Sequence, residues 1–259
     1  MGYLTGFHAI EEAIKSGKAT GPLLIAQAGP RAQVSIALAE EHRIPCKRVG
    51  AYDLERLAPD NRGIALQGAD SPEEITLETF IAELGERQDA LVMILDEITD
   101  PHNYGAILRS CDQFGVDLVL TRRRRIAKHA PIIAQTSAGA ASWVPAAEAP
   151  NLPRAIQALR DARFWIYGAD MAGAPVYEQE LRGRIGLILG GEGTGISRLL
   201  RERCDALLGI PRKGRIDSLN VSVAAGILCY EVLRQRNLPR RSGLPERGPP
   251  PPPGAVCDD

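Results

Sequence analysis

Cysteine pairs are missing from this sequence. Its five cysteines, Cys46, Cys111, Cys204, Cys229 and Cys257, are scattered, odd in number and never spaced C-x-x-C. That excludes a redox dithiol and a zinc ribbon, and favours reduced, mostly buried thiols. Histidine is equally sparse: four residues lie far apart, so no metal site is expected. His8, His42, His102 and His129 lack a clear catalytic partner and read as structural or surface residues, although His102 adjoins a motif at 103–109. No apolar run is long enough to span a bilayer, and the N-terminus carries no signal-peptide pattern. A soluble, cytoplasmic chain without a membrane partner is the expectation. An excess of either charge sign is absent too, since the formal net charge is −1. Nothing global marks a nucleic-acid binder, so an RNA partner would have to be held by local basic patches.

What is present is an alternation of helical and strand-like segments. With 259 residues and 44% hydrophobic content, the chain can build one large or two modest cores. Residues 1–70 read as a small α/β unit. Its helices are "FHAIEEAIKSG", "AQVSIALAEEHRI" and a short "AYDLERLA"; its strands are "PLLIAQ", "PCKRVG" and "RGIALQG". Residues 71–89 complete a polar linker, "GADSPEEITL", and run into a helix. Residues 90–237 form a longer series. "LVMILD" has the continuous apolar run of a buried parallel strand. Asp100 and Pro101 then supply the N-cap and first residue of a helix. Further strands are expected at "VDLVL", "SWVP", "FWIYGAD", "RIGLILGGEG" and "ALLGIP". Such alternation predicts a doubly wound parallel sheet. Residues 238–259 are rich in proline and glycine and read as a disordered tail; a polyproline ligand for an SH3-like partner is the less favoured alternative.

The two usual phosphate-binding fingerprints are absent. "LILGGEGTGIS" has glycines at 190, 191, 193 and 195, which do not form G-x-G-x-x-G, and Ile196 stands where a Walker A loop needs lysine. A carboxylate, Glu192, sits among these glycines at a strand end. It disfavours phosphate and suits a cationic or hydroxyl-bearing ligand. Open α/β sheets bind ligands at such strand ends.

Two other segments also place polar groups and glycine at strand ends. "LDEITDPHNYGAILRS" carries Asn103, Gly105 and Arg109, and "IPRKGRIDSLNVSVAAG" carries Ser218 and Asn220. The last opens a helix with poor helix formers, directly before a stretch that reads as buried. Together the three closely resemble the signature motifs of the SpoU (TrmH-like) branch of the SPOUT RNA methyltransferases. The first is N-x-G-x-x-x-R at 103–109, the second G-x-E-G-x-G at 190–195, and the third I-P followed by S-L-N-V-S-x-A at 210–224. The resemblance covers about residues 90–236 and, in layout, is most similar to the RlmB-type enzymes, which methylate a guanosine ribose in large-subunit (23S) rRNA.

This resemblance implies several expectations. The fold is a C-terminal α/β-knot, a trefoil-knotted parallel sheet, preceded by a small L30e-like RNA-binding domain. The molecule is a homodimer, with S-adenosyl-L-methionine (AdoMet) as methyl donor and a ribose 2′-hydroxyl as acceptor. Asn103, Arg109, Glu192, Ser218 and Asn220 form the catalytic set. Gly168, Ala169, Gly190, Gly191, Ile210 and Leu219 line the cofactor site, the glycines by letting backbone approach closely. Gly105, one turn before Arg109, leaves room for substrate backbone. Arg109 is either a base or a phosphate clamp; because a guanidinium rarely gives up its proton, the clamp is the less demanding role. Beside such a site the basic run "TRRRRIAKH", with Arg122, Arg123, Arg124, Arg125 and Lys128, reads as an RNA contact, with Arg212, Lys213 and Arg215 as a second. Both basic stretches are more charged than the family pattern. The same chemistry on tRNA, or a non-catalytic RNA-binding assembly factor, are the competing readings.

Overall fold

A computed structural model describes residues 3–15, 17, 19–58, 61–67, 75–122, 126–142, 144–215 and 218–238. The proline-rich tail, Cys257 and most of the polar linker lie outside the described residues. The chain divides into two compact units, Met1–Glu74 with Gly139–Trp143, and Ile75–Ala138 with Val144–Asp259.

The smaller unit contains β1 (Tyr3–Thr5), α1 (Phe7–Lys15), β2 (Leu23–Ile25), α2 (Pro30–Glu41), β3 (Cys46–Arg48), α3 (Ala51–Leu57) and β4 (Ile64–Gln67). Its sheet has the order β1-β4-β2-β3 and is mixed: β4 runs antiparallel to both β1 and β2, while β2 and β3 are parallel. Ile10, Ile14, Leu23, Ile64 and Leu66 are fully buried between its layers. Pro30 opens α2, where its missing N–H costs nothing. Strand β1 is not foreshadowed by any pattern, being a three-residue edge strand too short to show alternation.

The larger unit begins with α4 (Leu77–Leu84), whose Leu77, Phe80 and Leu84 are buried in the main core. This helix therefore belongs to the larger unit. It is followed by β5 (Ala90–Asp96), α5 (Pro101–Gln113), β6 (Leu118–Thr121), α6 (Ile126–Thr136), β7 (Ala146–Glu148), α7 (Leu152–Asp161), β8 (Trp165–Pro175), β9 (Arg184–Gly190), α8 (Arg198–Arg201), β10 (Ala206–Gly209) and α9 (Val221–Asn237). The six strands lie in the order β10-β8-β9-β5-β6-β7, and every pairing is parallel. Every residue of β5 is buried, as the unbroken run "LVMILD" requires of a central strand.

Two expectations need correction. The strand read at "SWVP" is displaced: a 3₁₀ turn covers Ala140–Ser142 and β7 starts at Ala146. Pro145 has no N–H to give a ladder, so it contributes only its carbonyl, which accepts from the Val119 N–H at 2.8 Å. Helix α9 is buried on one side only. Val221, Ala225, Leu228, Cys229 and Val232 are buried, whereas Val223, Ile227 and Tyr230 are exposed.

Of the described cysteines, Cys111 and Cys229 are buried, Cys204 is half-buried and Cys46 is exposed; none is in a disulfide. Burial pushes the Cys204 thiol up to about 12. No described helix is long and apolar enough to cross a membrane.

Candidate active site

The site is set by register. Leu95 pairs with Leu189, and Asp96 with Gly190, so β5 and β9 end side by side. The segments leaving these two ends are those of the first two motifs. Asp96 joins them: its carboxylate is buried, accepts from the Ser197 N–H at 2.9 Å, and meets the Arg122 guanidinium at 3.4 Å. Sequence reading passed over Asp96, although an acid ending a buried apolar strand is a usable signal.

Beyond Asp96 the chain turns into α5. Asp100 caps it by accepting from the His102 N–H at 3.0 Å, and Pro101 follows at the first helical position. The first turn carries Asn103 inward, to 7% exposure. Its amide Nδ2 donates to Glu192 Oε1. The Asn103 Oδ1 accepts from Asn220 Nδ2 at 2.9 Å. Asn220 Oδ1 in turn accepts from the Ser222 N–H at 2.9 Å and the Ser222 hydroxyl at 2.6 Å. One hydrogen-bonded chain thus runs through all three motifs, from Glu192 through Asn103 and Asn220 to the start of α9.

This corrects the reading of the third motif. Asn220 is not on the first turn of its helix; it is the N-cap, and α9 begins at Val221. Ser218 and Leu219 stand before the helix. Their weak helix propensity therefore costs nothing there, and the asparagine serves two purposes at once.

The chain of amides borders a cavity of about 610 Å³. Its walls come from the middle of β8 (Ala169, Asp170, Met171), the end of β9 and its loop (Leu189 to Gly195), Leu208 within β10, Ile210 and Arg212 beyond it, and Ser218 to Val221 with Ala224. Ala169, Gly190, Gly191, Ile210, Leu219, Ser218, Glu192 and Asn220 all line this one space. Gly168 does not: a Cβ there would meet the Cys204, Ile196 and Leu207 side chains within 2.9 Å, so this glycine serves core packing. Asp170 and Met171 line the cavity without having been singled out; Asp170 forms an ion pair with Arg201. The size is that of a small-molecule site, with apolar Met171, Leu208, Ile210 and Leu219 and a few polar groups to orient a ligand.

Arg109 is not in this cavity. It stands six positions on from Asn103, about 240° around a helix, so the two leave α5 in different directions. Arg109 is exposed and lines a shallow groove between α5 and α9 with Ser110, Ser222, Val223, Gly226 and Tyr230. Gly105 makes room for a neighbouring helix instead of a substrate backbone. A Cβ on it would overlap the Thr136 hydroxyl of α6.

The basic residues are spread. Arg122 is held at 3.4 Å by both Asp96 and Glu97. Arg123, Arg124 and Arg125 lie outside the described residues, and Lys128 falls on α6 with its side chain outside them. Arg212 lines the cavity, while Lys213 and Arg215 are exposed. Among the described residues no group of three or more His, Cys, Asp or Glu side chains could hold a metal ion.

Residues 90–230, which contain the whole site, match the SpoU rRNA Methylase family. The chain belongs to that family. Among its relatives is an uncharacterized tRNA/rRNA methyltransferase of Borreliella burgdorferi, 36% identical over 218 residues, covering 81% of this chain and 96% of the relative. The 23S rRNA (guanosine-2′-O-)-methyltransferase RlmB of Pseudomonas putida is 35% identical over 215 residues, covering 82% of this chain and 86% of the relative. In three dimensions the SpoU methyltransferase AviRb of Streptomyces viridochromogenes, crystallised with AdoMet, superposes with a TM-score of 0.66 over 92% of this chain and 91% of its own, at 23% identity. That likeness establishes the shared fold.

The hydrogen-bonded chain gives a direct test of this SpoU-family site. Asn103→Ala would leave Glu192 and Asn220 without their shared partner. The expected cost is about 1–3 kcal/mol of stability, read by urea unfolding. In a double-mutant cycle with Asn220→Ala, the two losses should be non-additive by more than about 0.5 kcal/mol. Simple additivity would mean that the three motifs are held independently.

Proposed function

We propose that this protein transfers a methyl group from AdoMet to a ribose 2′-hydroxyl of RNA, a guanosine of 23S rRNA being the target. One observation carries the reading: a single hydrogen-bonded chain ties all three motifs together along one small-molecule cavity. A protein that only bound RNA would have no need of such a cavity.

The residues present fit AdoMet. Glycine backbone and the apolar side chains of Ile210, Leu208 and Leu219 would suit the adenosine, while Glu192 and Asp170 would bring negative charge to the cavity that holds a positively charged donor. The bound donor supplies an already activated methyl group. What remains for the protein is to position a poorly acidic hydroxyl, whose proton passes to water as the new O–CH₃ bond forms. Positioning alone contributes up to about 7–11 kcal/mol in ideal cases. Asn103, Glu192 and Asn220 fix the loops that set that geometry. Arg109 holds the substrate phosphate and stabilises developing negative charge on the ribose oxygen.

A homodimer belongs to the same reading. Val223 is 50%, Ile227 36% and Tyr230 53% exposed on α9, beside Arg109. A second copy covering this apolar strip would enclose Arg109 in the interface and complete the site from two chains. The chain leaves β10 at one edge of the sheet and returns past β8 and β9 to pack α9 on α5, the helix that follows β5, and this crossing supports the trefoil knot. The mixed sheet of the smaller unit supports an L30e-like RNA-binding domain. A cytoplasmic location follows from the substrate.

Two measurements test the function. Millimolar AdoMet should raise the melting temperature, since a ligand that binds only the folded state stabilises it by about 2.7 kcal/mol at one hundred times Kd. No shift would favour a non-catalytic assembly factor. Mass mapping of rRNA and tRNA from cells lacking the gene should show one missing ribose methyl in 23S rRNA. A missing ribose methyl in tRNA would move the target, and a missing base methyl would overturn the mechanism.

A further inference from the structure

A second cavity, of about 230 Å³, is lined by the Glu97–Asp100 loop and the first turn of α5. Buried Tyr104 and Ile133 supply apolar wall, and Glu97, Asp100, Arg122 and His129 bring polar groups to it. Apart from Arg122, which belongs to the basic run read as an RNA contact, the methyl-transfer reading uses none of these side chains for substrate recognition.

Three observations give the cavity a purpose. The first is adjacency. The Glu97 carbonyl oxygen lies 2.9 Å from where a Cβ on Gly191 would stand, so the loop after β5 is packed directly on the Glu192 loop. Pro101 and Tyr104 line the cavity while Asn103, on the same helical turn, reaches Glu192. The second is conformation. Glu97 has φ of 60°, in the left-handed region where glycine is the usual choice, yet a long acidic side chain stands there. The third is electrostatic. The Glu97 carboxylate and the Arg122 guanidinium approach only to 3.4 Å, and Arg122 divides itself between Glu97 and Asp96. Contacts that long are weak, and both heads retain capacity for further hydrogen bonds.

We propose that this cavity receives the base of the nucleotide being methylated, and that Glu97 makes it select guanine. The inference rests on the methyltransferase reading above. An unstacked RNA base is apolar on its faces and polar along its edge, and proteins read it through both. Guanine alone among the four bases has two adjacent N–H donors on its Watson–Crick edge, at N1 and N2. A carboxylate, with two acceptor oxygens, matches that pair. The neighbouring O6 is an acceptor and suits Arg122. Adenine presents an acceptor at N1, cytosine an acceptor at N3, and uracil a single donor between two carbonyls. Each would leave Glu97 facing a lone pair or short of one bond, which is how a hydrogen-bonding pocket rejects the wrong ligand.

The test uses free nucleotides and the whole chain, with AdoMet at saturation so that the larger cavity is filled. Binding of 5′-GMP, 5′-IMP and 5′-AMP is measured by NMR titration. GMP should bind more tightly than IMP, which keeps N1–H but lacks the N2 amine, and IMP more tightly than AMP. Each step should be at least about tenfold, as for hydrogen bonds to a charged group. Glu97→Gln should collapse this order while AdoMet affinity and melting temperature stay unchanged, because Glu97 is 62% exposed and not part of the core. Equal affinities in the unmodified protein, or an order that survives both Glu97→Gln and Glu97→Ala, would overturn the proposal. A chain that methylates ribose but ranks the nucleotides equally defeats this inference alone. A chain that binds no AdoMet defeats the reading beneath it.

Discussion

Arg109→Ala is expected to abolish methyl transfer while leaving AdoMet binding intact. The two effects separate because Arg109 lines the α5–α9 groove and not the 610 Å³ cavity. Among the described residues, none lines both the cavity and the groove. Removing one well-aimed donor from a developing oxyanion typically lowers kcat by about 10²–10³-fold, or about 2.7–4 kcal/mol. A loss of that size in single-turnover transfer, with unchanged AdoMet affinity by calorimetry, is the expected result. Arg109→Lys should recover only part of it, because an ammonium keeps the charge but not the planar fork that matches a phosphate. Equal loss of transfer and cofactor binding would make Arg109 a structural residue.

Gly190→Ala should do the reverse and damage cofactor binding first. The space a methyl group would need is already filled by the protein's own loop. A Cβ on Gly190 would overlap the Gly195 carbonyl and the Ile196 nitrogen. These are backbone atoms and cannot swing aside. The loop is closed as well: the Gly195 N–H donates to the Gly191 carbonyl at 2.9 Å. Alanine must therefore push the whole 191–195 turn away from the end of β9, and the cavity wall moves with it. Overpacking of this kind costs about 1–3 kcal/mol of stability. AdoMet affinity should fall at least tenfold, measured by calorimetry on the folded variant. Gly193→Ala is the control. It meets no atom within 4 Å, although its φ of 85° adds backbone strain of about 1–2 kcal/mol. Unchanged AdoMet binding in Gly190→Ala would show that this turn is not part of the cofactor wall.

The contrast between these two residues shows what could be read in advance. That 190 must be glycine was legible, but the reason was not. The sequence suggested close approach to a cofactor; the packed turn shows the loop approaching itself. Gly105 and Gly168 repeat the lesson, since Thr136 and Cys204 fill the space beside them. A glycine announces that something comes near, and only the fold says what. The helix of Arg109 is similar. Its cap was legible because Asp100 and Pro101 act on their immediate neighbours. Its partners were not, because a phase difference of about 240° separates Asn103 from Arg109 and turns them to different surfaces.

The sequence by itself determined the elements with strong local causes. The central strand β5 follows from an unbroken apolar run, α5 from its cap, and the three motifs from residue types at fixed spacing. It also determined that Asn220 is special, although not that it caps a helix instead of occupying its first turn. Tertiary structure decided everything that depends on distant segments meeting. It brought Asn103 to Glu192 across 89 residues and to Asn220 across 117. It buried Asp96 under Ser197, exposed one face of α9, and set Glu97 beside a second cavity. Local propensity acts over a few residues, whereas the parallel register of β5 and β9 acts over the whole domain, and it is that register which assembles the site.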